Sequence, residues 1–465
     1  MNHHAVYDVK GFHFGIEEIQ RYSCHGAPED ELETPAMQAL ALRFLKRGVH
    51  PSCSLSPVGW CPRTGNTDRL STLCAMADYA YAQVPMYREL YRQVGYEPGA
   101  IGSFADFEAL PVLTRDTLNS WRDDDRLSMG RNACDTYFVG TSGSSGRSLR
   151  VYYDQNTAII ETLESLQQYA FYLREDLPPA RWIYNIHMSR GWLSSLEGKY
   201  RTFTLNEIPP LSALAKHFEK LTPIILCAPP SHLWTLAPLG DLRRYGIRVI
   251  STNSEQSSRI ERNSLSRIFG VPVLDEYSSV ELGVIAYESP TGSYAVNEQG
   301  LHLELLDVDS SGFGRVVATD LRSWVMPLIR YDQGDLARWD APPGGCSCLG
   351  GRACFKEIRG RADDYFLRAD GRKVPSATLL NMIDTLFTAP DATLREYRLI
   401  QQSTDRIRFE FVVQPGEELP FPSRRTLAQS LKSHFEPGLN IDFIQLERLS
   451  QTPSYKRKKV VRAFV

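Results

Sequence analysis

The chain has 465 residues, 42% of them hydrophobic, enough to bury a large core and build two or three folding units. Its 52 basic residues are offset by 55 acidic ones, a net charge of -3 that excludes the basic excess of a dedicated nucleic-acid binder. No apolar run approaches the ~18 residues of a membrane span, and the N-terminal stretch lacks the pattern of a secretory signal, so a cytoplasmic protein of enzyme size is expected.

In chain order, residues 1–75 are rich in Pro, Gly, Ser and His and read as an extension to which no role is assigned. Helical periodicity then begins, with Leu73, Ala77, Tyr81 and Val84 on one face, extended by Tyr87, Leu90 and Tyr91. The stretch Thr141, Ser142, Gly143, Ser144, Ser145, Gly146, Arg147 and Ser148 is a small-residue loop ending in a fixed positive charge. Its glycines let backbone N–H groups approach an anion, and its hydroxyls can donate to phosphoryl oxygens. Strands expected over Tyr137–Val139 and Val151–Tyr153 place it on a hairpin, unlike a Walker loop, which opens a helix. An ordinary Gly/Ser surface loop has the same composition.

Asp154 is a good N-cap for a helix carrying Ala158, Ile159, Leu163, Leu166, Tyr169, Ala170 and Leu173 as a core stripe. Strands Ile224–Leu226, Val249–Ser251 and Val271–Leu274 then alternate with helices Leu233–Tyr245 and Arg259–Phe269, which predicts an α/β fold with a largely parallel sheet. The helix after Asp154, the Asn185–Trp192 segment and the strand before Tyr277 are expected to form the sides of a pocket. His187 and Trp192 are candidate pocket walls there, or simply packed. The segment Asp275–Glu281 is expected at a strand's carboxyl end, where open α/β sheets place ligands. Tyr277 can stack on a base and Glu281 can help bind Mg2+ on phosphate, or the segment is a polar turn. Pro327–Leu336 reads as an apolar strand entering a turn with Asp332 and Asp335, and a carboxylate is the usual partner of a ribose diol.

Six of the nine cysteines are scattered without a disulfide-scaffold spacing. The other three, Cys346, Cys348 and Cys354, sit in a Gly-rich loop and can share one structural Zn2+ with His302 as a conceivable fourth ligand, or remain reduced thiols in a tight turn. After Gly360–Asp364 the composition shifts to a small α+β unit: helices Ser376–Phe387 and Arg424–Phe435, strands Arg395–Gln401, Arg406–Val413 and Ile441–Leu446.

The loop Thr141–Ser148, Tyr277–Glu281, Tyr331–Asp335, Gly360–Asp364 and the terminal Thr452-Pro453-Ser454-Tyr455-Lys456 occur in the order found in adenylate-forming enzymes, and over residues 75 to 465 the chain resembles an acyl-CoA synthetase. It is most similar to the phenylacetate-CoA ligase and capsule-biosynthesis branch, through Ala82–Arg88, Leu110–Arg115, Pro229–Ser231 and Gly300–His302. The resemblance implies a large domain over 1–362, with mixed and parallel sheets flanked by helices, and a small mobile α+β domain over 363–465. It implies that Thr141–Arg147 wrap the ATP phosphates, Tyr277 stacks on adenine beside Ser278 and Ser279, Glu281 supports Mg2+, Asp335 binds the ribose, and Arg361 reaches the nucleotide. Asp363 matches the hinge and Lys456 the lysine of adenylation.

The implied reaction needs no general base, because a carboxylic acid with a pKa near ~4 is already ionised at neutral pH. It needs charge compensation as an anion approaches a polyanion and pyrophosphate leaves. The acyl group, from an aromatic or related acid, would pass to CoA; alternatives are an amine or carrier-protein acceptor, or a nucleotide-binding homologue without turnover. Departures motivate the last: Ser278 and Val280 replace the family's Gly and Thr/Ser, and Tyr455 replaces the glycine before the lysine. Lys456 also lies in a basic run, Tyr455–Lys459, so a solvated tail and a register at Lys458 or Lys459 both stay open. Oligomeric state is not fixed by the sequence, a homodimer being one possibility.

Overall fold

The computed structural model describes residues 66–133, 136–140, 149–153, 155–174, 181–186, 193–196, 200–205, 208, 210–341, 353–361, 365–387, 393–414, 416–449 and 459–464. The loop 141–148, His187, Trp192, Cys346, Cys348, Asp363 and Lys456 lie outside the described residues.

Helix Asn66–Gln83 ends at Val84, and Pro85, whose fixed φ suits a first turn, opens Pro85–Gln93. Leu73, Ala77, Val84, Tyr87 and Tyr91 are buried, as the periodicity requires, with Tyr81 and Leu90 packed alongside. Tyr87 Oη donates to the Pro327 carbonyl at 3.0 Å and accepts from the Ile329 amide at 2.8 Å. That pins the segment leading into the strand Tyr331–Ala341.

Among the described residues twelve strands form one sheet, running from Leu301–Leu306 at one edge to Leu193–Leu196 at the other. Its parallel part is built by crossovers: Ile225–Cys227, helix Pro230–Leu236, Val249–Thr252, helix Arg259–Phe269, then Val273–Ser279. Ser258 caps the second of these helices by accepting from the Glu261 amide at 3.2 Å, and Gly270 closes it at φ 69°, a left-handed position that favours glycine. The other half of the sheet is antiparallel, so the sheet is mixed rather than largely parallel. Helix Leu233–Tyr245, expected as one piece, is a short helix followed by two 3-10 turns at Ala237–Leu239 and Leu242–Tyr245. Gly240 interrupts it and Gly246 ends it, both with positive φ.

Val273–Ser279 joins the two halves. Its first three residues pair in parallel with Val249–Thr252, and Glu276–Ser279 pair antiparallel with Gly283–Glu288. The tyrosine motif, expected just past the strand Val271–Leu274 or as a polar turn, is therefore part of the strand. Likewise Tyr331–Ala341 is a single strand, and the expected Gly334-Asp335 turn is a bulge within it, Gly334 taking φ 80°.

The C-terminal domain has its own core. Strands Leu394–Ser403 and Arg406–Val413 form a hairpin flanked in parallel by Val460–Arg462 and Asn440–Gln445, covered by helices Ser376–Phe387 and Phe421–His434. Phe366, Leu379, Tyr397, Phe409, Phe411, Leu427 and Leu431 fill it. One residue of that core, Ile260, comes from the large domain's helix Arg259–Phe269.

Candidate functional site at the end of the sheet's central strand

Tyr277 lies near the end of Val273–Ser279, and its hydroxyl donates to Asp335 Oδ2 at 2.8 Å. Asp335 in turn stands opposite Arg361 in the register of Tyr331–Ala341 with Cys354–Arg361. Tyr277 and Asp335 thus meet although their strands stand four places apart in the sheet, and the backbone of Arg361 is paired with that of Asp335. The alternation of a strand sends Ser278 to the other face, where its hydroxyl donates to Glu276 Oε1 at 2.8 Å. Ser279 shares the face of Tyr277; its Oγ accepts from the Leu282 amide at 3.1 Å and donates to Gln333 Oε1 at 3.3 Å, shaping the turn into Glu281.

Glu281 is 6% exposed. Its Oε1 accepts from Tyr331 Oη at 3.2 Å and lies 3.9 Å from an Arg115 guanidinium nitrogen. A buried carboxylate is a residue type that suits a hard cation such as Mg2+. Arg322 holds the next residue: fully buried, it donates to the Leu282 carbonyl at 2.7 Å, to Asp320 at 2.7 Å and to Glu164 of the helix Gln155–Leu173 at 2.8 Å.

The loop 141–148 is not among the described residues, but the strands that carry it are. Tyr137–Gly140 pairs with Arg150–Tyr153 as the hairpin reading expected. The Tyr153 hydroxyl donates to the Val280 carbonyl, which fastens the hairpin base to the tyrosine motif. Gln256 packs under Gly360, where an added Cβ would lie 3.4 Å from its Nε2. Tyr153, Tyr331, Gln333, Arg115 and Gln256 were not singled out as site residues from the sequence. Nothing in their local pattern separates them from ordinary polar neighbours.

On the side expected to hold the acid, Tyr169 and Tyr172 of the long helix are buried against the strand. Tyr172 Oη donates to the Asp275 carbonyl at 3.0 Å, and Gln168 Nε2 donates to Glu276 Oε2 at 2.9 Å. Burial pushes the Glu276 carboxyl above its ordinary range, opposed by its hydrogen bonds from Gln168 and Ser278.

His302 does not serve the zinc site. It lies on the edge strand Leu301–Leu306, three strand spacings from Cys354–Arg361, about 14 Å across the sheet alone. There it stacks on Phe104 at 5.9 Å and meets Phe107 edge-on at 5.8 Å, and desolvation lowers its pKa to about 4. Cys354 is buried in its strand, and among the described residues no cluster of metal-binding side chains forms.

Of the basic run expected to carry the lysine, Lys459 is among the described residues. Lys459 Nζ lies 2.7 Å from Glu261 Oε2, both side chains buried, so Lys459 is committed to the domain junction. No helix among the described residues is long and apolar enough to cross a membrane.

No protein-family model matches the chain. A phenylacetate-coenzyme A ligase of Thermus thermophilus is 22% identical to it over 334 residues, 64% of this chain and 70% of that protein. A crystal structure of 2-hydroxyisobutyryl-CoA ligase, in the postadenylation state with 2-HIB-AMP, superposes with a TM-score of 0.66 at 16% identity, covering 85% of this chain and 89% of that one. The chain shares the fold of that ligase. The same reference ligase in its thioesterification state, with 2-HIB-AMP and CoA, superposes less well, with a TM-score of 0.54 at 17% identity over 86% of this chain and 90% of that one. Within this shared fold Tyr277 and Asp335, 58 positions apart, come together.

Proposed function

We propose that the protein is an ATP-dependent acid–CoA ligase. A carboxylate attacks the α-phosphorus of ATP, the bond to pyrophosphate breaks, and an acyl-adenylate forms; a thiol then attacks the acyl carbon and AMP leaves. The observation that carries this is the Tyr277–Asp335 hydrogen bond with Arg361 opposite, beside the hairpin that bears Thr141–Arg147. Tyr277 would cover the adenine, Asp335 the ribose, and Lys456 with Arg147 would draw charge from the phosphates. Glu281 would hold Mg2+, which supplies charge neutralisation when bound. Tyr169 and Tyr172 favour an aromatic or related acid, with CoA as the acceptor suggested by the relatives. Asp363 would be the hinge between domains at 362/363.

The deciding experiment is acid-dependent exchange of labelled pyrophosphate into ATP across a panel of acids. Exchange supports adenylation; none with any acid favours nucleotide binding without turnover, the reading that Val280 and Tyr455 motivate. AMP release that requires CoA rather than an amine or carrier protein identifies the acceptor.

A further inference from the structure

Helix Arg259–Phe269 of the large domain meets the small one along its first turn. Ile260, 2% exposed, is packed into the small domain's apolar core. The Arg259 amide, one of the donors a helix start leaves unpaired, donates to Asp384 Oδ2 at 3.4 Å. Glu261 accepts from Lys459 Nζ at 2.7 Å and from Trp234 Nε1 at 2.8 Å, and the far face of Trp234 is covered by the Arg395 guanidinium at 4.3 Å. Lys459 also lies 4.9 Å from the Tyr397 ring. Asp384, Lys459, Tyr397 and Arg395 all belong to the small domain, while Trp234 and Glu261 belong to the large one.

A buried ion pair between bodies meant to move is costly to leave half-made, because separation strands each charge unless water reaches it. Lys459 stands three residues beyond Lys456 and its carbonyl accepts from the Leu399 amide at 2.7 Å, fixing the chain at the foot of the catalytic segment.

We infer that Lys459 and Glu261 are a positioning pair that holds the small domain in the arrangement serving adenylation. This rests on the ligase reading above. The arrangement is assigned to adenylation because the reference ligase superposes better in its postadenylation state than in its thioesterification state, 0.66 against 0.54, with no change in its own sequence.

The test uses the full chain with Lys459→Met, and Glu261→Gln as a milder variant that keeps an acceptor for Trp234. Two half-reactions are measured separately: acid-dependent pyrophosphate exchange, and thioester formation from preformed acyl-adenylate and CoA. Exchange is expected to fall about tenfold in Lys459→Met while thioester formation changes by no more than about twofold. Small-angle X-ray scattering should show a more open average particle in both variants. An equal fall in both half-reactions, or an unchanged scattering profile, overturns the proposal. Scattering needs no turnover, so absent exchange in the unaltered protein would refute the ligase reading while this arm still judges the contact.

Discussion

Tyr277 and Asp335, 58 positions apart, meet through a 2.8 Å hydrogen bond between two strands of one sheet. If the pair holds a nucleoside, Asp335→Ala should raise KM for ATP by about tenfold or more, losing charge-assisted contacts to the ribose. Tyr277→Phe keeps the ring and loses only the hydroxyl, so the effect should be a few-fold, about 1 kcal/mol. Pyrophosphate exchange at varied ATP measures both, and a larger effect for Tyr277→Phe than for Asp335→Ala would reverse the assignment.

Glu281→Gln leaves Tyr331 an oxygen to donate to but removes the charge beside Arg115. The Mg2+ concentration giving half-maximal exchange should rise by about tenfold, with little change in thermal unfolding. An unaltered Mg2+ dependence would remove Glu281 from the metal's surroundings.

Lys456→Ala should cut exchange by at least about a hundredfold and leave the unfolding midpoint in place, since the lysine is assigned to charge developing in the transition state. If Lys458→Ala does this instead, the register shifts by two residues.

Arg322 compensates Asp320 and Glu164 with no exposure of its own side chain. Arg322→Met should destabilise the protein by about 3–5 kcal/mol by leaving buried carboxylates unpaired, as read by urea unfolding. A change below about 1 kcal/mol would mean that water or proton uptake makes good the loss.

His302 gives a pH dependence whose sign follows from its environment. Burial lowers its pKa from 6.5 to about 4, so the folded state prefers the neutral ring. Its contribution is complete above pH 6.5 and is lost as pH falls toward 4. His302→Phe, matching Phe104 and Phe107, should narrow the stability gap between pH 8 and pH 5 by on the order of 1–2 kcal/mol. His217, lowered to about 3 by desolvation, should maintain the rest of the gap.

The elements with local signals were legible. Helix Ser376–Phe387 and strand Arg406–Val413 fall where periodicity put them, because each shows its buried face within its own sequence. The Tyr277 and Asp335 segments are recognisable by residue type, but the first reads as lying past its strand and the second as a turn. Only the pairing with Gly283–Glu288 and the bulge at Gly334 reveal them as strand, and pairing is settled by distant partners. His302 is a conceivable fourth zinc ligand by residue type alone; its neighbours in space are aromatic. Lys459 was indistinguishable from the rest of a basic run until its partner Glu261, 198 positions away, was located.

Ile260 has one more consequence. It is a greasy side chain shared between two bodies, so any parting of them bares oily surface on both sides of the seam. The parted form is then the sticky one, prone to capture by other chains at high concentration or raised temperature. Ligands that keep the seam shut would act as guardians of solubility as well as reactants.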